Sequence, residues 1–226
     1  MSRKDEKRRI ELGSTDTERD LGVVVSADAK WHKHVSAISA KASSTLGWLK
    51  KAFLTRDPVV WSKLYTTYVR APFEFAAPVW SPYSICDIKK LEKVQMAATK
   101  VTHEMKNREY KDRLEALGLT TLESRRERGD CIQMFKIANS IEKVKWHVGP
   151  KSATQTDRPE RVGSRRLQRE MVRNCQQRYH FFSNRIVRGW NRLPDRVIKP
   201  CSGTSKEAVN GFKAKYDEFQ HKVNCK

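Results

Sequence analysis

The chain of 226 residues has no Asp-Asp dipeptide, no CxxC pair, and none of the motifs HExxH, GxGxxG, GxSxG or a P-loop. Each absence removes a class of chemistry. Two-metal nucleotidyl transfer needs clustered carboxylates, commonly supplied through an Asp-Asp pair, and Asp16, Asp20 and Asp28 sit in polar or turn contexts with no second cluster. Zincin, dinucleotide-binding, hydrolase-elbow and phosphate-cradle chemistries lose their usual signatures. Cysteine is sparse and badly spaced for pairing. Cys86, Cys131, Cys175, Cys201 and Cys225 are odd in number and far apart, which fits neither a disulfide framework nor a zinc knuckle and points to free thiols in a reducing compartment. Cys131 and Cys175 have no His at a set distance that would make a nucleophile pair. The start, MSRKDEKRRIEL, is charged and has no apolar core of a secretory signal. A nuclear or cytoplasmic, intracellular location is therefore expected, not secretion.

Long hydrophobic runs are also missing. The nearest is LYTTYVRAPFEFAAPVWSPY, residues 64 to 83. A membrane span needs roughly 20 uninterrupted apolar residues. Here Arg70 and Glu74 intervene, and Pro72, Pro78 and Pro82 break the stretch. Strand signals are equally scarce, with Leu21 to Val25 the one convincing β-branched run.

What the chain has in excess is positive charge: 46 Lys and Arg against 26 Asp and Glu, a formal +20. Charge of that size speaks to partners rather than fold and favours a polyanion. Nucleic acid is the expected partner and a membrane is not; the alternative is that the basic side chains only solvate the surface.

Periodicity makes the fold class mainly α. Residues 1–27 read as a basic tail, 1 to 9, followed by a short hairpin around RIELGSTDTERDLGVVVS, with Ile10 and Leu12 ahead of its turn-rich stretch and Leu21 to Val25 as a strand. Residues 28–106 read as a three-helix bundle. Its first helix carries Trp31, Val35, Ile38, Ala42, Leu46, Leu49 and Phe53 on one face. The second starts at an Asp57 N-cap with Pro58 in the first turn and carries Trp61, Leu64, Tyr65, Tyr68 and Val69, until Pro72 kinks or ends it. The third opens at a Ser84–Asp87 capping box and carries Ile88, Leu91, Val94, Ala98, Val101 and Met105. The aromatics of the 64–83 run have helical spacing between two amphipathic helices, which makes them core rather than a base-stacking platform. Residues 107–142 read as a helical extension, with one short helix stopped at Gly118 and another opened by Thr120 and Glu123 and bearing Leu122, Ile132, Phe135 and Ile137. Residues 143–180 read as a disordered basic linker. The stretch from Lys151 to Lys199 holds 13 Lys and Arg against 4 Asp and Glu. Residues 181–226 return to helix, with Phe182, Ile186 and Trp190, a stop at Leu193-Pro194, and a last helix carrying Phe212, Tyr216, Phe219 and Val223. His32 and His34, in WHKH, read as surface histidines rather than metal ligands, because two histidines alone seldom make a site.

Several stretches carry a resemblance in collinear order. They are ERDLGVVVS (18–26), HV…I…KAS…LGWLKK (34–51), LYTTYVRAPFEFAAPVWSPY, DIKKLEKVQMAATK (87–100), RLEALGLTTLESRRERGDCIQMFKI (113–137), FFSNRIVRGWNRLP (181–194) and GFK (211–213). Together they resemble the C-terminal part of reverse transcriptases from non-LTR retrotransposons, the jockey-like long interspersed elements (LINEs). The resemblance implies that Asp20-Leu21-Gly22-Val23 matches the primer-gripping hairpin at the end of the polymerase palm. It implies further that the following helices match the thumb, which closes on template–primer duplex, and that the rest matches a downstream region of undefined role. The catalytic palm of that family has no counterpart in this chain. The resemblance thus implies no catalytic residue and no cofactor here, with Mg2+ expected only in a full-length polymerase, and a palm-containing polypeptide as a possible partner. The chain departs from the family in Phe73-Glu74-Phe75, where a Leu-Glu-Tyr-like triplet is common, and in Met96, where Gln-Arg-Ala-Ala usually places a basic residue.

A thumb tracks phosphates, so it needs basic side chains on rigid helices and little base readout. The expected contacts are Lys33, Lys41, Lys50 and Lys51 on the first helix and Arg125, Arg126 and Arg128 on a later one. Arg165, Arg166, Arg169 and Arg173 form a further basic strip. Two other readings stand beside this one: an inert remnant or helical protein-interaction module, and a working polymerase whose palm comes from another polypeptide or an upstream exon.

Overall fold

Trp61, Tyr65, Val69, Phe73, Ala77 and Trp80 are all buried, and they recur at steps of four and three from just before the 64–83 run to its end. The run fills a core. In the computed structural model, which describes residues 13–146, 149–152 and 165–224, the chain is mainly helical with a short N-terminal antiparallel hairpin. The basic tail, Ile10, Leu12, Cys225 and most of the linker's centre lie outside the described residues.

The hairpin pairs β1 (Thr17–Asp20) with β2 (Val23–Ser26), Asp20 opposite Val23. Its two-residue turn is Leu21-Gly22, with φ of 44° and 88°. Two positive φ values match the twist of the flanking strands. Leu21 is therefore a turn residue and not the start of the strand, and it is 88% exposed. Gly22 suits its place twice over: its φ is positive, and a Cβ there would touch the Phe75 ring at 3.4 Å.

Helix α1 (His32–Ala52) packs Val35, Ala42, Leu46 and Leu49 into the first core. Helix α2 (Pro58–Leu64) starts as read: Asp57 Oδ1 accepts the Val60 N–H at 2.9 Å, with Pro58 in the first turn. It then widens into a π turn over Tyr65–Val69, closed by the Arg70 N–H donating to the Tyr65 carbonyl at 2.9 Å. Pro72 has no N–H to offer Tyr68, and its ring needs space where a regular turn would place that carbonyl. The wider turn supplies the space and spoils the 3.6 period. Tyr68, expected in the core, is 57% exposed. Short helices α3 (Ala71–Glu74) and α4 (Ala77–Trp80) follow, separated by a left-handed Ala76. Each has a proline in its first turn.

Helix α5 (Ile85–Thr99) crosses α1. Ser84 makes no side-chain cap, and Asp87 turns to His32 instead. Helix α6 (Tyr110–Ala116) ends in a Schellman motif at Gly118, φ 62°, with Gly118 N–H on the Glu115 carbonyl and Leu119 N–H on that of Leu114. Helix α7 (Leu122–Ala138) is capped by Thr121, one residue after the expected Thr120.

Helix α7 belongs to two cores. Leu122 closes the first, with Leu114 and Leu119, so that core reaches beyond residue 106. Cys131, Met134 and Phe135 open the second. There they meet α9 (Phe182–Arg192), α10 (Asp195–Ile198) and α11 (Ser205–Asn224), with Phe135 stacked on Phe212 at 4.4 Å. A two-residue ladder joins β3 (Lys151–Ser152) to β4 (Leu167–Gln168), and α8 (Gln176–Tyr179) leads into α9. Within the linker reading of 143–180, residues 165 to 178 are tied to α9. Asn191 brackets Leu167 with two hydrogen bonds of 2.9 and 2.8 Å, and Asn184 takes the Glu170 N–H at 3.0 Å. Two asparagines seven residues apart share a helix face, and here they stand in for a neighbouring strand.

Arg185 joins the two cores. Its Nε and Nη2 grip both oxygens of buried Asp130 at 2.8 and 3.0 Å. Nη2 also donates to the Pro78 carbonyl at 2.6 Å and Nη1 to that of His180 at 3.3 Å. Removing one partner of a buried ion pair strands the other. Asp130→Ala should cost about 3–5 kcal/mol of stability by that principle, read as a lower urea midpoint. A midpoint within error of wild type would show that the joint is dispensable.

Candidate nucleic-acid interface

Helix α1 contains no carboxylate, and α5 contains only Asp87 and Glu92. Both of those point inward. Asp87 is buried and bonds His32 Nδ1 at 2.7 Å. Glu92 accepts the Leu122 N–H at 3.1 Å and the Tyr110 hydroxyl, and fully buried Gln95 donates to it at 3.2 Å. Gln95 in turn accepts the Tyr65 hydroxyl at 2.6 Å and donates to the Thr120 carbonyl at 3.0 Å. With its acidic groups thus engaged, α5 turns Lys89, Lys90 and Lys93 outward. Among the described residues, no lysine of α1 or α5 sits in an ion pair.

Between the two helices runs an open groove of about 610 Å³. Small residues of α1, Ser36, Ala40, Ser43 and Gly47, form one side, and Val94 and Ala97 of α5 form the other. Lys50, Lys90 and Lys93 stand along it. Lys90 Nζ donates to Ser36 Oγ at 2.8 Å. The Ser39 hydroxyl, buried beneath, has no hydrogen-bond partner. Small side chains allow a polymer backbone to come close, and lysines at the rim supply point charges for phosphates.

Of the residues expected from sequence, Lys50 lines this groove. Lys33 and Lys51 are exposed and continue its line by helical spacing. Lys41 is exposed but falls off that line, on the side of exposed Trp48. The arginines of α7 join no such face. Arg125 Nε is on Glu74 at 2.5 Å, and Arg128 forks both oxygens of Asp217 at 2.7 Å. Arg126 is 5% exposed, inside the protein. The reason is that α7 is packed on more than one side, so positions off its apolar stripe meet other elements rather than solvent. Arg165 is exposed and donates to the Ile198 carbonyl at 3.2 Å, and Arg166 is half-buried, both beside the second core. Arg169 lies over Tyr179 at 4.9 Å, and Arg173 is exposed. Lys89, Lys90 and Lys93 were missed, although DIKKLEK carries them at helical spacing. Their signal was the pairing of outward lysines with inward carboxylates, which only the neighbours of Asp87 and Glu92 reveal.

Comparison with family profiles, curated proteins and solved structures finds no match to this chain. Among the described residues there is no group of three or more His, Cys, Asp or Glu placed to hold a metal ion, and no helix is long and apolar enough to cross a membrane.

The two histidines of WHKH part company. His32 is exposed and paired with Asp87. His34, expected at the surface, is 2% exposed. Its Nδ1 accepts the Val24 N–H at 3.2 Å and its ring meets Trp80 edge-on at 4.9 Å, tying the hairpin to α1. Burial first, and then the charge of Arg19, holds its pKa below the ordinary 6.5. The unfolded chain therefore takes up this proton at higher pH than the folded one. Stability should fall as pH drops through about 6.5, and His34→Leu should flatten that slope in urea melts between pH 7.5 and 5. An identical slope in both proteins would rule out His34 as its source.

Proposed function

We propose that this chain is the thumb-like and downstream part of an RNA-directed DNA polymerase of a jockey-like non-LTR retrotransposon. In this reading it lacks the catalytic palm and binds template–primer through its backbone, without sequence preference. The supporting observation is the α1–α5 face: unpaired lysines around a groove of small residues, with every carboxylate of the two helices engaged inside. The ordered resemblance of the sequence supports the family. The chain works inside the cell, nuclear or cytoplasmic, with RNA, DNA or their hybrid as partner, and Mg2+ belongs only to a full-length polymerase with its palm. An inert remnant or a helical protein-contact module is the second reading. Exposed Leu21 at the hairpin turn, and exposed Phe75 whose ring lies against Gly22 of the same turn, favour a protein contact.

Salt separates the two. Each neutralised phosphate releases counterions and adds about −0.9 to the slope of log K against log salt on B-form DNA. Binding to an RNA–DNA hybrid should weaken steeply with salt. Lys90→Gln with Lys93→Gln should lower the slope by roughly one per lysine. A flat salt response, or an unchanged slope in the double variant, favours the protein-contact reading. Met96 of α5 lies at helical spacing between Lys93 and the C-cap Lys100 and is partly exposed. Met96→Arg should tighten binding and steepen the slope by about one. Primer extension by the chain alone should give no product, and synthesis by the pure protein would overturn the claim that it has no centre of its own.

A further inference from the structure

Glu123, Arg126, Glu127 and Asp130 share one face of α7, at steps of three and four. They line a cavity of about 250 Å³, whose other wall includes Tyr83 and His180. Arg185 also reaches this cavity, with its fork filled by Asp130. Arg126 does not share that satisfaction. It is 5% exposed, and its Nη1 is buried with no hydrogen-bond partner. A buried guanidinium left unbonded is costly, so the cavity is built around an unmet donor.

The lining says what would meet it. A phosphate is a poor fit: with Asp130 neutralised by Arg185, Glu123 and Glu127 remain against the single charge of Arg126. The lining excludes an anion, and the unmet Arg126 donor asks for an acceptor on an occupant that also carries donors toward the carboxylates. A flat occupant suits it, because Tyr83 and His180 stack on each other at 4.6 Å with a tilt of 7° and leave an outer ring face, not a slot, for a ligand to lie on. Guanine has this pattern, with O6 and N7 as acceptors on one edge and N1–H and the N2 amino group as donors on the next. Adenine would turn its amino group, a donor, toward the arginine.

We propose that this cavity takes an unstacked guanine of the bound strand. Arg126 donates to O6 and N7, Glu123 and Glu127 accept from N1–H and N2, and the base lies against the Tyr83–His180 pair. This is how single-stranded bases are read elsewhere, by aromatic stacking plus hydrogen bonds to the base edges. The site rests on the nucleic-acid reading above and adds base preference to a backbone grip. Both sites touch α5, Ile88 lining the cavity and Lys90 the groove, on different faces of the helix.

The test is fluorescence anisotropy of the full chain with short single-stranded oligonucleotides that differ at one base. Guanine should bind tighter than adenine by roughly tenfold or more, the discrimination of a good bidentate arginine contact. Inosine, which lacks the N2 amino group, and 7-deazaguanine, which lacks the N7 acceptor, should each lose part of the preference. Arg126→Lys should abolish the preference while leaving salt-dependent binding and helical circular dichroism in place. If that variant unfolds, the two base analogues on the wild-type chain decide the question. Equal affinity for guanine, adenine and both analogues, with steep salt dependence intact, overturns the guanine site and leaves the backbone reading standing. No binding of any single-stranded oligonucleotide overturns the guanine site, and no binding of the RNA–DNA hybrid as well overturns both.

Discussion

The hydrogen-bonded fork between Arg185 and Asp130 decides how the two halves of this protein meet. Asp130 sits on α7, Arg185 on α9, and the same guanidinium reaches Pro78 in α4 and the carbonyl of His180. Burial pushes the Asp130 carboxyl above its ordinary range, and Arg185 pulls it back. A carboxylate there without its arginine would be a stranded charge, so the contact enforces one arrangement of three helices. The planar guanidinium makes this possible, since it can serve a carboxylate and two carbonyls at once.

Arginine and lysine divide the labour accordingly. Arg70, Arg113, Arg126 and Arg185 are buried or half-buried, and Arg125 and Arg128 bind carboxylates on other elements. Arginine in this chain is mainly a joining residue. Among the described residues no lysine is fully buried, and the lysines of α1 and α5 stand without acidic partners. Of the formal +20, the part available to a polyanion is set by this division more than by the total. Gln95 contributes from inside. Anchored by the Tyr65 hydroxyl and holding Glu92 together with Tyr110, it keeps a negative charge off the face that α5 shows to solvent.

Much of the architecture was legible from local chemistry. Asp57 and Pro58 started α2, Gly118 ended α6, and four-residue steps placed Phe182, Ile186 and Trp190 in a core, because caps, φ preferences and periodicity act over a few residues. The stretch FFSNRIVRGWNRLP shows where such reading stops. Its aromatic and aliphatic residues announced a helix face, while Asn184, Arg185 and Asn191 looked like ordinary polar positions. Their partners, Glu170, Asp130 and Leu167, are set by the path of the chain. The candidate site was legible in the same uneven way. Lys33, Lys50 and Lys51 could be found on a helix with no acidic residue, whereas Lys90 and Lys93 share a helix with carboxylates and only packing cancels those.

The sequence alone determined that this is a strongly basic, mainly helical chain with a short hairpin near its start. Composition, proline placement and hydrophobic period suffice for that, since each acts through the local backbone. Tertiary structure alone decided which charges are free. It turned Asp87 and Glu92 inward, closed Arg126 into a cavity and spent Arg128 on Asp217, because a charge is available to a partner only when no neighbour distant in sequence has already taken it.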